Sequence, residues 1–209
     1  RCLSGGGVVR LGRVQGNAVI ELAGGEIYVD QADAGLRAST AGNIHVRTAA
    51  HDVAVSTTGG LIQVERAGGM VTARSLGGGI EIGQARGVRC ESVRGTIRLS
   101  GISGAMKVST GAGQIYATLD GQRLAGDSNL ATARGDVSVA LPSKLAVTVK
   151  ALVEGSGMWS RIVSEFPEIR PPAAFGVRAP MVVVGRLNGG GALLTLSAAQ
   201  GTVYVKRRK

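Results

Sequence analysis

The sequence predicts an all-β chain wound as a parallel β-solenoid, with coils of about 17–18 residues, two main strands per coil and a C-terminal closing β segment. Three observations carry that expectation: an excess of glycine, a two-residue alternation of apolar side chains, and the return of one short phrase at a nearly fixed interval.

Glycine-x-apolar-x-apolar, with alanine once in the last place, is written at 7–11 (GVVRL), 25–29 (GEIYV), 42–46 (GNIHV), 60–64 (GLIQV), 78–82 (GGIEI), 95–99 (GTIRL), 113–117 (GQIYA) and 135–139 (GDVSV). The glycine-to-glycine steps are 18, 17, 18, 18, 17, 18 and 22. A second alternating series runs out of phase with the first: Leu36-x-Ala38, Val53-x-Val55, Val71-x-Ala73, Val88-x-Cys90 and Met106-x-Val108, at steps of 17, 18, 17 and 18. A period of two marks a strand with one buried face. Two such strands per period are too few for a propeller blade, and the asparagine ladder of leucine-rich repeats is missing. One coil of a β-solenoid fits, each strand pairing in parallel with its counterpart a coil away. Stacked coils rise ~4.8 Å, so eight of them make a body roughly 40 Å long.

The inward positions are then Ile27/Val29, Ile44/Val46, Ile62/Val64, Ile80/Ile82 and Ile97/Leu99, two aliphatic ladders. Glycine marks the corner before each strand, where the chain turns sharply and a Cβ would clash. The 34 glycines, against a usual ~7 %, follow from that need. Collagen is excluded because no glycine recurs strictly every third residue, and disorder because 44 % of the chain is apolar. Aromatic residues are only 3 %, so Val, Ile, Leu and Ala must fill a thin core.

Residues 1–140 form the repeats and 141–209 the closing segment of the same domain. The 22-residue step places extra residues within 118–134, as a protruding loop. After "VSVALP" at 137–142 the repeat stops; 144–153 alternate as a strand, and "EGSG" turns. The stretch at 165–180 holds four of the five prolines and reads as a connection. "MVVVGRL", "GALLTLSAAQ" and "GTVYVKRRK" return to strand, covering an end that would otherwise pair with another molecule.

The repeated glycine units, the "VALP" break at 139–142, the "GSGMWSRIVSEFP" passage at 155–167 and the terminal "GGGALLTLSAAQGTVYVKRR" resemble the bacterial putative-adhesin β-strand-repeat family, also called the toast-rack domain. The resemblance covers nearly the whole chain. It implies a β-solenoid-like domain of envelope-associated proteins, without an established enzymatic activity or catalytic residues. The basic balance and "SAAQGTVYV" depart from the family's commoner wording.

No catalytic, cofactor-binding or metal-ligating constellation emerges from the residues. His45 alternates with Ile44 and Val46 and points outward; His51 beside Asp52 is a single pair rather than a site. "RGD" at 134–136 matches an integrin tripeptide, but its glycine is a corner glycine and its aspartate the first outward residue. Cys2 and Cys90 make neither a disulfide framework nor a zinc site; Cys90 reads as a buried free thiol and Cys2 as a candidate lipid-attachment residue. No apolar run approaches the ~20 residues of a membrane span, and the initial Arg1 fits a removed signal segment.

The net charge of +10, four charges of it in Lys206–Lys209, favours anionic partners. The outward ladders supply the candidate contacts: Arg37, Arg89 and Lys107 in the second series, with Tyr28, Arg98 and Tyr116 in the first. Scarce aromatics argue against specific nucleic-acid recognition. The expectation is a non-enzymatic structural or adhesive module of the bacterial envelope, binding a glycan, a lipid headgroup, a protein or its own terminal coils. End-to-end filament formation and a basic polyanion-binding surface are alternatives. A polysaccharide-acting enzyme is the least favoured, because it needs clustered carboxylates and the 14 acids are scattered.

Overall fold

A computed structural model describes residues 1–155, 160–171 and 180–208. Part of the "EGSG" turn, most of the proline-rich connection and Lys209 lie outside the described residues. The chain is all-β, and the strands alternate between two sheets. They are β1 (Cys2–Ser4), β2 (Val8–Val14), β3 (Ala18–Leu22), β4 (Glu26–Ala32), β5 (Leu36–Thr40), β6 (Ile44–Ala49), β7 (Val53–Thr57), β8 (Ile62–Ala67), β9 (Met70–Ser75) and β10 (Ile80–Gln84). There follow β11 (Gly87–Arg94), β12 (Ile97–Ile102), β13 (Met106–Ala112), β14 (Ile115–Leu119), β15 (Ser128–Arg134), β16 (Val137–Leu141), β17 (Val147–Val153), β18 (Ile162–Ser164), β19 (Met181–Leu187), β20 (Leu193–Gln200) and β21 (Val203–Arg207).

The first sheet runs β1-β3-β5-β7-β9-β11-β13-β15-β20-β17-β19; the second runs β18-β21-β16-β14-β12-β10-β8-β6-β4-β2. Up to β16 each strand pairs in parallel with the strand one coil away, so the chain is a parallel β-solenoid. The repeat sets the register. Ile27 faces Ile44, then Ile62, Ile80, Ile97, Ile115 and Val137 in one continuous column, every member fully buried. Leu36, Val53, Val71, Val88 and Met106 form the facing column in the first sheet. Burying each large aliphatic side chain contributes ~1.5–3 kcal/mol.

Two polar devices, both unforeseen from the alternation, fasten the corners. At the end of the first-sheet strands a buried hydroxyl donates to a glycine carbonyl of the preceding corner: Thr40 to Gly25 at 2.9 Å, Thr57 to Gly42 at 2.7 Å, Thr132 to Gly113 at 2.9 Å. An Asn or Asp Oδ1 also accepts a backbone amide one coil on, as Asn17 does from Gly35, Asn43 from Leu61 and Asp52 from Met70. Each bond satisfies a main-chain group that turns away from the ladders. Gly25 shows why the corner excludes a side chain: its φ is +105°, and a Cβ would lie 1.8 Å from the Gly7 carbonyl oxygen.

The C-terminal segment departs from the expectation of a simple cover. β17 and β18 leave one coil's space beyond β15 and β16, and β20 and β21 return to fill it. β20 pairs in parallel with both β15 and β17, and β21 with both β16 and β18. The phrase at 201–205 (GTVYV) is thus a further copy of the repeat, and Gly201 (φ +156°) stands over Gly135 in the corner column. β19, antiparallel to β17, closes the first sheet. The loop expected within 118–134 is shorter than that span because β15 takes up 128–134. It also does not simply protrude: Leu124 is buried and the Gln122 carbonyl accepts the Ala146 amide.

Candidate functional site

Both sheets turn their aliphatic residues into one core, so their outward columns face opposite sides of the body. The six candidate contacts therefore fall into two groups. In the first sheet one outward column reads Val19, Arg37, Ala54, Thr72, Arg89, Lys107 and Asn129. In the second it reads Arg10, Tyr28, His45, Gln63, Glu81, Arg98 and Tyr116.

The second-sheet column is paired within itself. The Tyr28 hydroxyl donates to Glu26 at 2.8 Å, which raises the Tyr28 pKa, while Tyr28 and then Asn43 hold the Glu26 carboxyl below its usual range. The Arg10 guanidinium lies 5.4 Å from the Tyr28 ring centroid. His45 approaches Gln63 through Nδ1 at 3.2 Å and Glu65 through Nε2 at 3.3 Å. Arg98 pairs with Glu81 at 3.2 Å and lies 5.6 Å from the Tyr116 ring centroid, and Tyr116 donates its hydroxyl to Gln114. Such a self-satisfied face offers a ligand few unspent donors.

The first-sheet face keeps more of its charge. Arg89 and Lys107 are direct cross-strand neighbours, and Lys107 and Arg37 have no ion-pair partner among the described residues. Glu91 accepts Arg89 Nε on one oxygen and Arg74 Nε on the other, each at 3.2 Å. The Arg74–Glu91–Arg89 triad thus retains one net positive charge.

Beside this triad a trough of about 600 Å³ crosses the C-terminal ends of β3, β5, β7, β9 and β11. Its floor holds Ser39 and Ser56, stacked on successive coils, and Leu76 and Val93 stand exposed along it. Ser92 also lines it; this residue is 8 % exposed, and its hydroxyl has no hydrogen-bond partner among the described residues. Sequence reasoning missed the trough because its small residues carry no motif. The available signal was the run of hydroxyl and alanine positions just before each corner.

Other sequence candidates have structural duties. Asp136 of the "RGD" tripeptide accepts the Thr202 amide at 2.8 Å, pinning the inserted coil. The basic tail folds back: Lys206 lies 5.2 Å from the Tyr204 ring centroid, Arg207 5.1 Å from that of Phe166, and Arg208 pairs with Asp120. Cys90 is a buried free thiol whose pKa burial pushes up to about 12, and Cys2 is a half-buried free thiol on β1. No group of three His, Cys, Asp or Glu side chains able to hold a metal occurs among the described residues. No helix there is long and apolar enough to cross a membrane.

The fold and its outward columns define a parallel β-solenoid repeat protein. Comparison with family models, curated proteins and solved structures finds no match to this chain.

Proposed function

We propose that the chain is a non-enzymatic structural and adhesive module of a bacterial envelope, a rigid rod that presents side chains to other surface components. The observation that carries this reading is the unbroken inner column from Ile27 to Val137. Because every coil is locked in register, each outward residue is held at a fixed place along the rod, a display surface with little ordering entropy left to lose on binding. Likeness to the putative-adhesin phrases supports the envelope setting. The cationic face of the first sheet, with Arg37, Arg89 and Lys107, supports attraction of anionic glycans or headgroups. Saturable binding of the purified protein to envelope preparations, without turnover on a broad hydrolase panel, is the expected result. Reproducible turnover abolished by one point mutation would overturn the reading.

Self-association is a second reading, favoured by one observation. At the N-terminal end β1 and β2 each have a single neighbour, and Val9, Leu11 and Val14 are only half-buried. Such an edge accepts a further strand. Concentration-dependent light scattering and electron microscopy test it; a strict monomer at high concentration refutes it.

A further inference from the structure

We propose that the trough on the first sheet binds an acidic glycan, a chain of sugars bearing carboxylates, laid along the axis of the stack. This rests on the adhesive reading and names the ligand class for it.

The spacing comes first. The trough crosses five consecutive coils. Coils are ~4.8 Å apart, close to the length of one hexose in an extended polysaccharide, so equivalent groups on the rod meet equivalent groups on successive sugars. The chemistry changes along that line. Ser39, Ser56, Arg74 and Glu91 occupy one outward column in that order. The Ser39 and Ser56 hydroxyls have no side-chain hydrogen bond among the described residues, and so remain open to sugar hydroxyls.

At the far end the charge turns positive. Arg74 and Arg89 both contact Glu91 through Nε, and among the described residues their Nη edges have no hydrogen-bond partner, so two guanidinium edges are left for an anion. A carboxylate fits that fork geometry better than it fits a point charge. Lys107 adds a further cation beside Arg89; both stand in the adjoining outward column, next to Arg74 and Glu91, which line the trough itself. At the opposite end of the column Glu21 is paired with Arg1 at 3.6 Å, so the attractive field is concentrated at the Arg74 end.

The walls exclude the main competitor. Leu76 and Val93 are 57 % and 53 % exposed, and they offer aliphatic surface to the C–H faces of sugar rings. Among the described residues no aromatic side chain lines the trough, so nucleobases, which bind by stacking, have no platform there.

The test is calorimetric titration with oligogalacturonate hexamers, beside cellohexaose and inorganic polyphosphate. The expected result is saturable binding of the uronate and none of the neutral hexamer. Ser56→Leu, which fills the floor without altering charge, and Arg74→Glu should each weaken it at least about tenfold. Lys150→Glu, on β17 of the same sheet but away from the trough, should leave it unchanged. Thermal melts establish that each variant is folded. Absence of uronate binding, equal binding of cellohexaose, or polyphosphate binding as tight as the uronate's and indifferent to Ser56→Leu would each overturn the proposal. Adherence to envelope preparations without uronate binding would sink the glycan assignment alone; loss of both would sink the adhesive reading too.

Discussion

Between β1 and β16 the coils stack in the order in which the chain makes them; beyond β16 that order breaks, because β20 and β21 lie between β15/β16 and β17/β18. In the body a side chain staples its coil to the next across 18 residues, as Asn43 does to Leu61 and Asp52 to Met70. At the C-terminal end the same bond spans 66 residues, from Asp127 to the Leu193 amide and from Asp136 to the Thr202 amide. Identical chemistry thus serves two topologies. The stack is indifferent to the route by which a coil arrives, provided its corner, ladder and register match the neighbours.

The largest expected effect comes from removing the coil that arrives late. Deleting 193–209 takes one partner strand from each of β15, β16 and β17, leaves β18 with none, and removes buried Leu194, Leu196, Val203 and Val205. At ~1.5–3 kcal/mol each, those side chains approach a typical total stability of ~5–15 kcal/mol, so the cooperative melt should vanish in calorimetry. Deleting 1–14 removes residues already half in water and should leave a cooperative transition. Equal damage from the two truncations would contradict this difference between the two ends.

Within the body the contrast is between the interior coils and the first one. Ile62→Ala should cost ~2–5 kcal/mol in urea unfolding, because Ile62 is fully buried and its column cannot collapse. Leu11→Ala, at the half-exposed first coil, should cost clearly less. Glycine sharpens the same point at the two extremes of the corner column. Gly201→Ala should cost more than the ~1–3 kcal/mol of backbone strain, since its Cβ would also lie 1.9 Å from the Gly135 oxygen. Gly7→Ala carries the strain of φ +104° alone, with nothing within 4 Å of the new methyl.

The thiols report the difference through pH. The Cys90 thiol is raised from 9.0 to about 12 by burial, so the folded state keeps its proton while the unfolded chain loses it. The contribution is fully present below pH 9 and is lost as pH climbs toward 12, with a slope approaching about 1.4 kcal/mol per unit. Cys90→Ala should abolish that part of the slope. Native protein at pH 8 should be alkylated at Cys2 and not at Cys90. The smallest effect concerns the corner hydroxyls: Thr57→Val should cost ~1 kcal/mol for its bond to Gly42, and Ser92→Ala next to nothing, its hydroxyl having no partner among the described residues to lose.

Much of this architecture was legible from particular residues. Ile27, Ile44, Ile62, Ile80 and Ile97 were placed on one inner column by alternation and interval, and they stack as direct partners. Cys90 was placed inside by the same rule. The candidate contacts were only partly legible: alternation gave Arg89 and Tyr28 as outward but not which faces they occupy. It also could not show that Tyr28 is spent on Glu26 while Lys107 lacks an ion-pair partner among the described residues. Those facts depend on side-chain reach across strands, which a period does not encode.

The coil's length, inner ladder and glycine corner are readable from the residues alone, because each is set by sterics within one winding and repeated in the next. Where residues 193–207 lie depends on the assembled stack. β15 and β17, and likewise β16 and β18, present matching parallel edges a coil apart; the alternation of 201–205 marks that stretch as a coil strand, but the slot it fills is chosen by pairing and burial at both edges.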